Sequence, residues 1–178
     1  MALGVLALGL AGCGIAQVER QPDPAEIPNG PLQAIGGEAV GPITEVGSGR
    51  TLGIGWRYAV YDSGDGICTQ LELASVSSGG CGSLPLIPAE GIFGGVSSGG
   101  PGAPSEFPAP VDGIVSSRVA AVWIQTESGG RVATRLMPLA GAGHDAKAFI
   151  GFAPAGERAA SLVAVDAGGE VLETFDLP

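Results

Sequence analysis

Apolar side chains recur at every second position in several stretches of this chain, and this spacing restricts the fold more than any other feature. A period of two is typical of a β-strand with one buried face, because successive side chains point to opposite sides of the sheet. In the first such run the apolar residues are Leu52, Ile54, Trp56, Tyr58 and Val60. A turn-forming DSGDG sequence at residues 62–66 separates this run from a second one, Ile67–Leu73, and the two runs predict a hairpin.

Further strands are predicted in the last third of the chain. The run Arg118–Thr126 is apolar at both alternating sets of positions, which favours a central strand. Three more predicted elements follow it, namely strands at Arg131–Met137 and Ala146–Ala153 and a hairpin formed by Ala160–Asp166 and Glu170–Phe175. No segment after the N-terminus has an apolar helical stripe with caps at both ends. We therefore predict an all-β fold, an antiparallel β-sandwich (immunoglobulin-like) or a small barrel, over residues 51–178.

A Gly-, Ser- and Pro-rich stretch at about residues 76–112 interrupts this pattern and is interpreted as a loop within the domain. The sequence VSSGG occurs in it twice, at Val76–Gly80 and Val96–Gly100, and reads as low complexity rather than as a structural repeat. Short strands are allowed near Leu84–Ile87 and Gly91–Phe93.

The acidic composition excludes some partners. The net charge is −10, with 8 Lys and Arg against 18 Asp and Glu, and no window gathers more than two or three basic residues. Nucleic acid is not expected as a partner, since binding a phosphate backbone requires clustered cations. Electrostatic docking on anionic lipid is disfavoured for the same reason, so any membrane attachment is expected from the N-terminus.

The N-terminal segment Ala2–Gly12 is uncharged and apolar. It is too short to span a hydrocarbon core, which needs roughly 20 helical residues, and its length suits the apolar part of a signal peptide. It ends in Leu10-Ala11-Gly12-Cys13, which resembles the lipobox of bacterial lipoproteins. The resemblance implies cleavage after Gly12, removing residues 1–12, and attachment of a lipid (diacylglycerol, with palmitate among its usual acyl chains) to the Cys13 thiol. The chain departs from the family in having no Lys or Arg before the apolar segment. The alternative is a short buried N-terminal segment with a free cysteine.

Residues 13–50 are interpreted as a tether that follows the lipidated cysteine. Five prolines interrupt this stretch, at Pro22, Pro24, Pro28, Pro31 and Pro42. Such a linker is semi-rigid and holds a domain clear of the membrane surface. The alternative is that a part of it, near Leu32–Val46, adds an edge strand to the domain.

The two remaining cysteines, Cys68 and Cys81, form an even pair in a domain that the lipobox places outside the cytosol. A disulfide between them would close a loop of about 14 residues and stabilise the fold by roughly 3 kcal/mol. The alternative is two free thiols. A zinc site is disfavoured because two cysteines and one distant histidine fall short of four ligands. No metal and no cofactor are expected.

Catalytic motifs are sparse. The GVSSG sequence at residues 95–99 matches the G-x-S-x-G pattern around Ser97, but it lies in Gly/Ser-rich sequence with no helix after it. His144, with Asp145 beside it, follows an AGAG run typical of a surface loop. Asp62 and Asp65 resemble a calcium loop only in part, since the spacing and the distal glutamate are missing. Trp56 and Trp123, which could stack on sugars, are expected in the core.

The sequence thus predicts a membrane-anchored protein on the extracytoplasmic face of the cell membrane, not an enzyme. Its domain is expected to be a non-catalytic binding or envelope-structural β-sandwich with a protein or cell-wall partner. The alternative function is a secreted hydrolase that uses Ser97 and His144.

Overall fold

The structure, a computed structural model, describes residues 26–64, 66–73, 76–82, 92–96 and 108–177. These ranges contain twelve strands and a short 3-10 turn at Ala140–Ala142. The strands are β1 (Thr44–Thr51), β2 (Ile54–Ser63), β3 (Gly66–Leu73), β4 (Val76–Gly82), β5 (Ile92–Val96), β6 (Pro110–Ser116), β7 (Ala121–Thr126), β8 (Arg131–Ala133), β9 (Arg135–Pro138), β10 (Ala146–Phe152), β11 (Ala159–Val165) and β12 (Val171–Asp176).

The strands form three four-stranded sheets in which every neighbouring pair is antiparallel. Sheet 1 has the order β1-β2-β3-β4, sheet 2 the order β5-β6-β10-β9, and sheet 3 the order β12-β11-β7-β8. The predicted all-β, antiparallel, sandwich-like class is confirmed. The predicted β2–β3 hairpin is present, with Ser63 opposite Gly66 at its turn.

Two apolar cores place sheet 2 between the other two sheets. The first core joins Trp56, Tyr58, Val60, Ile67 and Leu71 of sheet 1 to Ile114, Met137, Ala148, Ile150 and Phe152 of sheet 2. The second joins Val111, Val115 and Phe149 of sheet 2 to Val122, Ile124, Leu162 and Ala164 of sheet 3. Successive side chains of β6 and β10 thus enter different cores, as the period of two requires. The fold has three stacked layers, where an immunoglobulin-like sandwich has two.

Sheets 2 and 3 are linked by a chain that passes from one to the other at Thr134. β8 pairs with β7 in sheet 3, and β9 pairs with β10 in sheet 2. At the corner between them, the Thr134 amide and hydroxyl both donate to the carbonyl oxygen of Val122, at 3.1 and 2.9 Å. Gly151 faces this corner, where a Cβ would lie 2.7 Å from the Ile124 Cδ1 atom, so the layers approach too closely for a larger residue.

The outer face of sheet 1 is covered by residues 26–40, which we call the strap. Arg57 of β2 donates through Nη1 to the carbonyl of Gly30 at 2.8 Å. The Tyr61 hydroxyl donates to the carbonyl of Ile35 at 2.5 Å and accepts from the Ile35 amide at 3.0 Å. At the end of the strap, the Val40 amide donates to the carbonyl of Asp62 at 2.9 Å. The strap is therefore fastened to β2 along its length.

The strap changes the burial of β2. The alternating pattern predicted a strand with one buried face, but every residue of Ile54–Tyr61 is buried. Arg57 and Tyr61, whose side chains point away from the first core, are only 7% and 2% exposed because the strap lies over them.

The single strand predicted at Arg131–Met137 is two strands, β8 and β9, and the boundaries also differ within the segments 13–50 and 76–112. β1 begins at Thr44, inside the segment 13–50 assigned to the tether, and forms the edge of sheet 1. β4, β5 and the start of β6 lie inside the stretch 76–112 that was predicted as a loop. The first VSSGG sequence lies in β4, where backbone pairing with β3 forms a strand without an alternating side-chain pattern. The allowed strand Leu84–Ile87 lies outside the described residues.

Candidate functional site

The hydrolase hypothesis depended on Ser97 and His144. Ser97 lies outside the described residues. His144 follows the 3-10 turn, and its Nε2 atom lies 3.0 Å from Oδ1 of Asp62 at the end of β2. The carboxylate that contacts this imidazole thus comes from sheet 1 rather than from the adjacent Asp145. The contact joins the β9–β10 connection to the β2–β3 turn.

The structure describes some of the other residues that the sequence indicated as candidates. Asp65 lies outside the described residues, and within the described ranges no three His, Cys, Asp or Glu side chains gather as metal ligands. Trp56 is buried as predicted, with Arg135 stacked 5.3 Å from the centre of its ring and its Nε1 atom donating to Thr51. Trp123 differs from the prediction, because it is half-buried and alternates with Val122 and Ile124, which enter the second core.

The disulfide joins Cys68 of β3 to Cys81 of β4. The two residues are direct partners in the ladder, with Cα atoms 4.0 Å apart, and Cys68 is fully buried. A Cβ at Gly37 of the strap would lie 3.0 Å from the Cys81 Sγ atom, so the strap packs directly on the sulfur atoms. The third cysteine, Cys13, lies outside the described residues.

A buried polar cluster lies beside the disulfide on the same face of sheet 1. Arg57 forms a fork with Glu72, because Nε donates to Oε2 at 2.9 Å and Nη2 donates to the same oxygen. Gln70 donates through Nε2 to Oε1 of Glu72 at 2.6 Å. The side chains of Arg57 and Glu72 are only 8% and 13% exposed. A charge buried to this extent is tolerated because its partner is equally buried and hydrogen-bonded.

This cluster fastens the strap to sheet 1. The guanidinium that neutralises Glu72 also donates to Gly30, so one cation bridges sheet 1 and the strap. Among the described residues, Oε1 of Gln70 is buried without a hydrogen-bond donor. Sequence reasoning missed this cluster. The signal was present, because the hairpin register that closes at Ser63 and Gly66 places Arg57 directly opposite Glu72.

A second buried polar group connects sheets 1 and 2. The Tyr58 hydroxyl donates to Oδ2 of Asp112 at 3.0 Å inside the first core. Burial, followed by the negative charge of Asp112, raises the pKa of Tyr58 well above its usual value, although a hydrogen bond with Thr69 opposes the shift. The tyrosine is therefore a neutral donor that fixes β2 against β6.

The raised pKa of Tyr58 predicts an alkaline loss of stability. In the unfolded chain the hydroxyl ionises near pH 10.0, whereas in the folded chain it keeps its proton. The folded state then binds more protons, so the free energy of unfolding should fall as the pH rises above about 10. Tyr58→Phe removes this contribution. Urea unfolding between about pH 8 and 11 should show a smaller decline for Tyr58→Phe than for the wild type, and parallel curves would contradict the prediction.

Together the fold and these contacts define a disulfide-bonded domain of three stacked antiparallel sheets, closed on one side by a strap. Comparisons with protein-family models, with curated proteins and with solved structures find no match for this chain. No helix in the described part of the chain is long and apolar enough to cross a membrane.

Proposed function

We propose that this chain is a bacterial lipoprotein, anchored by a lipid on Cys13 at the extracytoplasmic face of the cell membrane. One observation carries the proposal. Two of the three cysteines are joined to each other, and the third is the last residue of the lipobox-like sequence Leu10-Ala11-Gly12-Cys13. A structural disulfide is typical of oxidising compartments outside the cytosol, which is where a lipid-anchored domain of this kind resides.

The proposed role of the domain is non-catalytic, as a binding or envelope-structural module with a protein or cell-wall partner. The internal contacts of its polar side chains support this role. Arg57 and Glu72 neutralise each other under the strap, and Tyr58 and Asp112 are buried between two sheets. Groups held in this way act as structural connections, since a catalytic group must reach a substrate.

The proposal is tested by Cys13→Ser. This change removes the thiol that would accept the lipid, so the variant should leave the membrane fraction and appear in the soluble fraction. The wild-type protein from membranes should begin at Cys13 and carry the mass of the added lipid, as measured by mass spectrometry.

Cys68→Ala combined with Cys81→Ala is the matched control, because it removes two cysteines but leaves Cys13 in place. It should remain in the membrane fraction. A wild-type chain that retains residues 1–12 and an unmodified Cys13 thiol would refute the proposal, as would a Cys13→Ser variant that stays with the membranes.

A further inference from the structure

The turn between β1 and β2 has an unusual residue at its tip. Leu52 and Gly53 form the two-residue turn, and both have positive φ, at 52° and 80°. Two-residue hairpin turns of this kind favour Asn-Gly or Gly-Gly, because a branched side chain is strained at positive φ. Leu52 is nonetheless the residue present, and it is 64% exposed. Neither turn formation nor core packing accounts for a leucine at this position.

The strap enters the domain close to this turn. A Cβ at Gly55 would collide with the carbonyl of Glu26, the first described residue of the strap. Gly55 pairs with Arg50, one ladder position beyond the Thr51 and Ile54 pair that closes the turn. At 3.2–3.4 Å per strand residue, Glu26 lies within roughly 10 Å of the tip.

The chain that precedes Glu26 is short. Twelve residues, 14–25, lie between it and Cys13. The thirteen Cα–Cα steps from Cys13 to Glu26 span at most about 45 Å, at 3.3–3.6 Å per residue. A lipid on Cys13 therefore keeps the β1–β2 turn near the bilayer.

We propose that the β1–β2 turn faces the bilayer and that Leu52 inserts into it as a second, weak lipid contact. This inference rests on the proposed lipid at Cys13. Such a contact is apolar, as expected for a chain with a net charge of −10, which anionic headgroups repel. One leucine gives only a weak contact, and the short tether makes this contact an intramolecular one, with an effective concentration in the millimolar range.

The contact is tested with Leu52→Trp in the lipidated full-length protein, reconstituted in phosphatidylcholine vesicles that contain brominated lipid. The new tryptophan should show blue-shifted emission and lose intensity through bromine quenching, relative to the wild type with its native Trp56 and Trp123. Val171→Trp is the matched control, because Val171 is also an exposed apolar residue (55%) but lies in sheet 3, separated from sheet 1 by sheet 2. It should behave like the wild type.

The outcomes separate this inference from the proposed function. Vesicle flotation and the mass of Cys13 report the lipid independently of residue 52. A lipidated protein that floats, but in which Leu52→Trp is quenched no more than Val171→Trp, overturns the turn contact alone. A chain without lipid overturns both proposals.

Leu52→Gly gives a second readout. If the leucine is kept for lipid rather than for folding, glycine should relieve the backbone strain and raise the melting temperature of the detergent-solubilised protein by about 2–4 °C. A lowered melting temperature would assign Leu52 a role within the domain and overturn the inference.

Discussion

Arg57→Met is expected to lower the free energy of unfolding by about 3–5 kcal/mol, the range found when one partner of a buried ion pair is removed. Methionine keeps most of the apolar volume of the arginine stem but none of its donors. Glu72, whose side chain is 13% exposed, would lose the cation that it pairs with. The Gly30 carbonyl would lose its donor as well, so the strap should loosen.

Arg158→Met is the matched control for this prediction. Arg158 pairs with Glu127 at 3.5 Å, but the two side chains are 72% and 58% exposed. A pair in solvent is worth at most about 1 kcal/mol. Urea unfolding of both variants measures the difference, and equal losses would contradict the buried-pair interpretation.

A double variant separates charge from packing. Arg57→Met combined with Glu72→Leu removes both charges, and it should be more stable than Arg57→Met alone, since no charge is left buried without its partner. Hydrogen exchange at the Ile35 amide, which is bonded to Tyr61, reports whether the strap has loosened.

Removing the disulfide is the second large effect. Cys68→Ala combined with Cys81→Ala should lower the free energy of unfolding by about 3 kcal/mol, because the unfolded chain regains the entropy of a loop with a sequence separation of 13. Both thiols are replaced so that no free sulfhydryl remains beneath the strap. The loss is measured by urea unfolding without a reductant.

Reduction provides the control for the disulfide prediction. A reductant should destabilise the wild type by a similar amount and leave the double alanine variant unchanged. An unchanged unfolding midpoint in the double variant would show that the bridge does not stabilise the fold.

The hairpin β2–β3 illustrates what local sequence patterns predict. Its two alternating runs and its Gly/Asp turn correctly predicted the strands, their antiparallel pairing and the face that enters the first core. The disulfide was inferred from the cysteine count, and the structure joins the same two residues. The register that follows from the turn would also have paired Arg57 with Glu72.

Two other strands, β4 and β1, could not be predicted from an alternation of apolar and polar side chains. β4 consists of Val, Ser, Gly and Cys, and it forms because β3 offers unpaired backbone groups beside it. Backbone pairing leaves no trace in the pattern of side chains. β1 is similar, since its TEVGSGRT sequence follows a proline-rich stretch and looks like part of a linker.

The candidate site was even less predictable. The alternating pattern predicts that Arg57 and Gln70 face solvent, because it indicates strands with only one buried face. Their burial depends on the strap, a segment that contains prolines and has no alternating pattern. The strap is distant in the chain, since Gly30 lies 27 positions before Arg57, to which it is hydrogen-bonded. The contact of His144 with Asp62 is likewise long-range.

By itself, then, the amino-acid sequence determined the all-β antiparallel class and the central hairpin, because both depend on residues that are close in the chain. It indicated the cysteine pair because two cysteines remain once Cys13 is assigned to the lipid. The tertiary structure alone decided the stacking of three sheets, the strap and the buried Arg57–Glu72 pair. These features arise from contacts between segments that are distant in the chain. Whether a side chain on the face of a sheet is buried depends on the segment that packs over that face, and the local sequence of the strand does not specify that segment.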